Sequence, residues 1–278
     1  MLAGTVGHVA GVPHPQANAG LTFNSDMTTR EMLSGQRMMY RAPTTYQSMN
    51  LSWKCSSQHL AHLFDLYEMR WGTPHFWIQS PFLTEEDNIL PLRWSVGHQL
   101  AHVLNGLGEP SVADTTVKIV GGVGWSYALG QGFGPSVQFI VDPGKPYYFG
   151  MTGTSTGLTA TQGVVVYGHK IGTPESTWAR LGTYRATTTV GAQVLTKAQS
   201  LDYDFLKVAI ELPSSRSGSL TISAMELSQI DFSTTKEKAI RRGKGIGAVQ
   251  MSSELGGSIL SKVIDRIGFS ADLMEVDI

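Results

Sequence analysis

Hydrophobic and polar positions alternate strictly over residues 46–53, "YQSMNLSW", with Met49, Leu51 and Trp53 on one face and Ser48, Asn50 and Ser52 on the other. A period of two sends successive side chains to opposite faces, so this segment reads as a strand with one side buried. The period then changes. In "SSQHLAHLFDLYEMRWG" (56–72), Leu60, Leu63, Phe64, Tyr67 and Trp71 recur at helical spacing, with Ser56 or Ser57 as the cap and Gly72 as the stop. One helix packs on one sheet. "HFWIQSP" (75–81) reads as a further strand ended by proline, and "TEEDN" (84–88) as an acidic turn.

Beyond Trp94 the chain becomes a series of short apolar runs separated by Gly-rich turns: "TVKIVGG", "SVQFIVDPG", "YYFGM", "LTATQGVVVYG", "TYRATTTV", "FLKVAIELP" and "SLTISAMEL". About seven strands at this spacing, with almost no helical periodicity, predict a β-sandwich or jelly roll over residues 95–248. In "FLKVAIELP" the pattern places Val208, Ile210 and Leu212 inward and Lys207, Ala209 and Glu211 on a wet face. "KEKAIRRGKGIGAVQ" (236–250) is a basic, Gly-spaced connector, after which "ILSKVIDRIGFSADLMEVDI" returns to apolar patterning. Two domains suit a chain of 278 residues at about 100 to 200 residues per domain.

Composition narrows the function classes. Charged residues make up 15% of the chain, low beside the roughly 25% of a typical soluble protein. The formal net charge is −1, so no global field draws the protein to nucleic acid or an acidic membrane. Cys55 is the only cysteine, which excludes an intrachain disulfide and reads as a small buried hydrophobe. The opening "MLAGTVGHVAGVPHPQ" lacks the basic start and apolar core of a secretory signal, and no run approaches the roughly 18 apolar residues of a membrane span. The expectation is a soluble protein made in the cytoplasm.

Candidate chemistry is sparse. His98 and His102 stand four apart, but no glutamate lies between them and no third ligand is apparent, so packed or solvent-facing histidines are the better reading than a metal site. His59 and His62 lie on or beside the apolar face of the expected helix and read as structural. "GGVGWSYALGQGFG" (121–134) lacks the spacing that would let its amides cradle phosphate. Its aromatics Trp125, Tyr127 and Phe133, and Trp178 further on, are candidates for stacking on a sugar ring, with plugging of the sandwich end as the alternative. Asp142, Asp202, Asp204 and Glu211 sit at expected turns or on a wet strand face, with nothing to mark a glycosidase pair. No catalytic residue, metal site or cofactor is expected. Lys236, Lys238, Arg241, Arg242 and Lys244 form a basic strap, read as a solvated connector or a salt-bridging surface for a neighbouring subunit.

Several of these stretches together resemble a known family. "RMMYRAPTTYQSMNLSW", a helix, "RWGTPHFWIQSPF" and then "NILPLRW" are similar to the N-terminal half of distal tail proteins and related minor tail proteins of long-tailed bacteriophages, particularly those of actinobacterial hosts. The features carrying the likeness are Trp53 on its strand, the Trp71-Gly72 helix end, the aromatic strand leading to Ser80-Pro81, and the junction of Asn88, Leu90, Pro91 and Trp94. The sequence departs from the pattern at Ser80, where these proteins carry Asp before the proline.

The resemblance implies a mainly β protein: a tail-tube-like β-sandwich or barrel domain with one packed helix, built from residues 1–94 and a return segment 249–278, with a jelly-roll domain resembling carbohydrate-binding modules inserted as residues 95–248. It implies a structural virion protein at the tail tip, six copies around a channel, joining the tail tube protein to hub or tail fibre proteins while DNA passes through. Within that picture Pro91 cannot donate to a sheet ladder and biases Leu90 toward an extended conformation, so "NILP" ends the first domain and Trp94 packs between the two bodies. Abundant Met and aromatics with few charges suit a surface consumed by protein interfaces. The alternatives are a protein binding host-surface carbohydrate through the sandwich and, less favoured, a glycoside hydrolase.

Overall fold

A computed structural model of the chain describes residues 1–17, 19–24, 27–31, 37–41, 46–97, 100, 108–110, 116–120, 135–185, 189–213, 218–232, 240–251, 256–261 and 266–276. The protein is mainly β, and among the described strands every pairing is antiparallel. His98, His102, Trp125, Tyr127, Phe133, Lys236 and Lys238 lie outside the described residues, as does the side chain of Cys55.

In chain order the strands begin with β1 (Leu2–Thr5), β2 (His8–Gly11), β3 (Gly20–Asn24), β4 (Met27–Glu31), β5 (Arg37–Arg41) and β6 (Tyr46–Cys55). Helix α1 (Ser57–Tyr67), β7 (Trp77–Ile78) and the single-turn helix α2 (Leu92–Ser95) follow. Next come β8 (Gly108–Pro110), β9 (Val117–Val120), β10 (Ser136–Ile140), β11 (Tyr147–Thr156), β12 (Gly163–Lys170), β13 (Trp178–Tyr184), β14 (Thr189–Leu195), β15 (Tyr203–Glu211) and β16 (Ser219–Ser228). The chain ends with β17 (Val249–Met251), β18 (Gly256–Ser261) and β19 (Arg266–Glu275).

Both ends of the sequence contribute to one sheet. β6 runs beside β19 in the order β17-β19-β6-β3, and the alternation of both strands is in phase: Met49 faces Leu273, Leu51 faces Ala271 and Trp53 faces Phe269. These six residues are buried, while the intervening pair Asn50 and Asp272 is hydrogen-bonded at the surface. Register is therefore fixed by burial, since a one-residue slip would turn the apolar set outward. A second sheet, β2-β1-β7, joins this one through mutual backbone hydrogen bonds between Phe76 and Val249. Leu63 and Leu66 of α1 complete the core.

α1 stops at Tyr67, earlier than the pattern 56–72 implies, because the backbone turns left-handed at Met69 (φ 54°) before Gly72 (φ 78°). Trp71 thus packs from the loop, between the rings of His8 and His62. His62 also lies 2.9 Å from the Ala3 carbonyl, tying the helix to β1.

The middle of the chain forms two sheets, β10-β15-β12-β13 and β14-β11-β16-β9-β8, over one shared core. Val137, Val166, Val208 and Ile210 enter it from the first sheet, and Phe149, Met151, Ile222 and Met225 from the second. Two sequence expectations change here. "TYRATTTV" is not one strand: β13 ends at Tyr184 and β14 begins at Thr189. The face of β15 expected to be wet is covered, with Lys207 only 5% exposed and Ala209 fully buried. Two coverings account for it: Trp77 of the first body packs edge-on against Phe205 with ring centroids 5.3 Å apart, and within the sheet Trp178 covers Lys207 while Val165, Tyr167 and Trp178 pack around Ala209.

Candidate functional site

The decapeptide 88–97 is where the two bodies are fastened, and Asn88 is its centre. The side chain is 1% exposed and makes four hydrogen bonds. Its Nδ2 donates to the carbonyls of Met225 (2.9 Å) and Arg241 (2.7 Å), and its Oδ1 accepts from the amides of Leu90 and Leu227, both at 3.1 Å. Only a carboxamide offers two donors and an acceptor in so small a group. One residue thereby holds the junction, β16 and the connector together.

The connector runs alongside as a backbone partner. Lys244 donates its amide to the Asn88 carbonyl and Gly245 donates to the Leu90 carbonyl, at 3.0 and 3.1 Å. The approach is so close that a Cβ on Gly245 would fall 1.5 Å from the Ile89 carbonyl oxygen, and one on Gly243 would fall 2.1 Å from that of Leu90. Glycine at 243 and at 245 is thus a packing requirement. Pro91 opens α2, with its carbonyl accepting from Trp94 and Ser95.

The expected role of Trp94 is corrected. Its ring belongs to the core of the two-sheet body, together with Leu90, because α2 turns it that way. The aromatic packed between the bodies is Trp77, grouped with Ile140, Phe205 and Ala248. "HFWIQSP" carried the signal, in a strand with no polar alternation and therefore no exposed face.

A second anchor lies beneath the connector. Arg93 and Glu275, 3% and 2% exposed, are within 3.2 Å of each other. The Glu275 carboxylate also accepts from the amides of Gln47 (3.1 Å) and Gly247 (3.0 Å), and Gln47 donates through Nε2 to the Gly245 carbonyl at 2.8 Å. The strand end of β19, the start of β6, the junction helix and the connector meet at one buried charge pair.

The described part of the basic strap is turned largely onto its own chain. Arg241 grips the fully buried Glu226 through its amide, Nε and Nη2, and Lys244 reaches Asp87 at 2.6 Å. Burial pushes the Asp87 carboxyl up, but hydrogen bonds from Lys244 and Thr84 outweigh it and hold the group below its ordinary range. Arg242 is exposed.

Trp178 lies on the outer face of β13 with the Lys207 ammonium 3.8 Å from its ring centroid and the His169 ring at 5.5 Å. One stacking face is already taken by a cation. Desolvation lowers the Lys207 amine to about 8, and a buried ammonium gains most from the electron-rich ring. Glu211 is held by Arg180 at 2.7 Å and by the Tyr167 hydroxyl.

Asp204, which the sequence left without distinguishing context, forms a buried pair at 2.6 Å with His169, a residue the sequence reading missed, and also accepts from the Gly7 amide of the first body at 3.1 Å. Thr173 Oγ1 lies 3.4 Å from His169 Nε2, which superficially suggests a nucleophile, base and orienting acid. The threonine proton goes elsewhere, to the Lys170 carbonyl at 2.7 Å, and Nε2 faces the Pro174 carbonyl at 3.2 Å. The group clasps the β12–β13 turn.

Between the bodies lies a cleft of about 310 Å³ lined by Trp77, Gln79, Asp142, Lys145, Tyr147 and Gln229 among others. Lys145 spans it to Glu85, each raising or lowering the other's pKa in the direction that keeps both charged. Burial pushes the Tyr147 phenol up to about 12 while its oxygen accepts from the Asp142 amide and Gln229. Among the described residues no three His, Cys, Asp or Glu side chains cluster, and no helix is long and apolar enough to cross a membrane. A scan of the sequence against protein-family models finds no match, and a search of curated proteins finds none.

Proposed function

We propose that the chain is a structural ring subunit of the tail tip of a long-tailed bacteriophage, connecting the tail tube to hub or fibre proteins around a channel for DNA. The observation that carries this reading is the pairing of β6 with β19, which makes one sheet-and-helix body from the two ends of the chain and leaves the two-sheet body as an insert. In the proposal that first body is tail-tube-like and forms the ring, while the two-sheet body, taken as a jelly roll, projects outward.

Three features support it. The bodies are fastened by buried polar anchors rather than a loose linker, which suits a part that must transmit force without hinging. The chain's low charge content suits surfaces shared with neighbours. Closed rotational symmetry would also cover sheet edges that otherwise invite aggregation. Glycan binding through Trp178 is less favoured, because Lys207 already occupies one face of the indole.

Light scattering on the purified full chain, alone and with the tail tube protein, tests the reading. The expected result is one discrete closed oligomer whose mass stays constant above a threshold concentration. Isolated monomers under every condition would refute it.

A further inference from the structure

Tyr147 is 1% exposed, yet its hydroxyl proton has no taker. The oxygen accepts from the Asp142 amide at 2.7 Å and from Gln229 Nε2 at 3.1 Å, which uses both of its lone pairs. Burial pushes the phenol up to about 12, so the proton stays on through the physiological range, and among the described residues no acceptor receives it. Asp142, Tyr147 and Gln229 all line the cleft of about 310 Å³ between the bodies, so the hydroxyl end of the ring stands at its wall. Turning the Gln229 carboxamide over would give the phenol an acceptor and release the Nε2 hydrogens at the same spot instead. One donor without an acceptor remains either way.

Other polar groups of the lining are open as well. The Asp142 carboxylate receives no hydrogen bond among the described residues, although its amide is bonded to the phenol. From the first body, Gln79 accepts from the Leu2 amide through Oε1, while its Nε2 makes no hydrogen bond among the described residues. Asp142 and Gln79 are half-buried. Polar groups withdrawn from water without a partner cost free energy, so each favours a ligand that completes it. Leu83, Ile89 and Ile140 make up part of the apolar lining.

These groups select a ligand chemistry. A carboxylate or phosphate would take the phenol proton but meet the Asp142 charge, and Lys145, the lysine of the lining, is already held by Glu85. An ammonium would satisfy Asp142 and leave the phenol proton where it is. A hydroxyl accepts and donates through one oxygen, so it can take the proton of Tyr147 and give its own to Asp142. The volume lies at the small end of small-molecule sites, which run from about 300 to 1,000 Å³. Several hydroxyls around a ring with apolar C–H faces match a lining mixed in the same way. We infer that the cleft between the bodies binds a small neutral sugar. Its walls come from both bodies, so the bound sugar also braces their seam. The inference does not depend on the ring reading, and it places the sugar on a different surface from Trp178.

Saturation-transfer NMR and calorimetry on the full chain test it, with glucose, galactose, mannose, rhamnose, N-acetylglucosamine, maltose, lactose and cellobiose as probes at millimolar concentration. At least one probe should bind. Tyr147→Phe keeps the ring and removes the O–H, and should weaken that probe roughly tenfold, as should Asp142→Ala. Trp178→Ala should leave its affinity unchanged. If Tyr147→Phe does not fold, Asp142→Ala and Gln79→Ala, at half-buried positions, carry the comparison. Binding that survives the cleft variants and is lost with Trp178→Ala moves the site to the outer face of β13 and overturns the cleft. Absence of binding by every probe overturns it too, and leaves the phenol proton to water. Sedimentation velocity on the same samples reads ring formation separately, so neither result is mistaken for failure of the ring.

Discussion

Trp53 stacks on Phe269 across the β6–β19 ladder, ring centroids 5.3 Å apart and planes inclined by 20°, although the two residues come from opposite ends of the chain. Both are buried in the core of the first body. This contact exists only when the chain ends have met. Trp53→Ala should cost about 3 to 5 kcal/mol in unfolding free energy. Phe269→Ala should cost a similar amount, and the double variant should cost less than the sum by about 0.5 to 1.5 kcal/mol, the extra attraction of a ring pair. Urea unfolding of the four proteins checks the cycle.

Asn88→Ala leaves two carbonyls and two amides without their partner at a site 1% exposed. Each buried orphan is worth about 1 to 3 kcal/mol, so a loss of roughly 3 kcal/mol or more is expected. Asn88→Asp should not rescue it, because an ionised carboxylate cannot donate to Met225 or Arg241. Thermal unfolding of both variants decides; near-wild-type stability of the Asp variant would contradict the assigned hydrogen-bond directions.

Glu275→Gln removes the charge facing Arg93 and puts a donor where the carboxylate accepts two amides. Breaking a buried pair from one side costs about 3 to 5 kcal/mol. Amide hydrogen exchange should localise the loss to 245–249 and to the start of β6, and leave β10, β12 and β15 protected. Uniform loss across both bodies would contradict a local anchor.

Lys207 gives a pH signature. Its amine in the folded protein sits near 8, below the ordinary value of 10.5, because burial disfavours the charged form. Between those values the unfolded chain binds the proton and the folded chain does not, so stability rises with pH through that window and the penalty is full below about 8. Lys207→Met removes the dependence. The difference in unfolding free energy between variant and wild type should therefore shrink as pH rises from 8 to 10.5; a constant difference would refute the shift.

Local periodicity made the individual strands legible and left their partners hidden. Residues 46–53 announced β6, and the runs around Ile119, Phe139, Val165 and Val208 announced most of the two-sheet body. β13 escaped because an edge strand with intermediate exposure along most of its length shows little alternation. The burial of Lys207 was hidden for another reason: alternation tells which face is opposite the core, and the Trp178 indole laid over that face from β13 leaves no mark on the period of β15. The anchors were hidden too. Nothing near Arg93 in sequence announces Glu275, and Asn88 reads as a turn residue until its four partners converge. The strap's charges were visible, but Glu226, fully buried on β16, was not identifiable as the partner of Arg241.

Electron cryomicroscopy of the assembled full chain tests the central claim most directly. The account predicts a closed ring with the β6–β19 sheet and α1 in its wall and the two-sheet body on the periphery. A particle in which the two-sheet bodies form the wall, or a population of separate monomers, would contradict it.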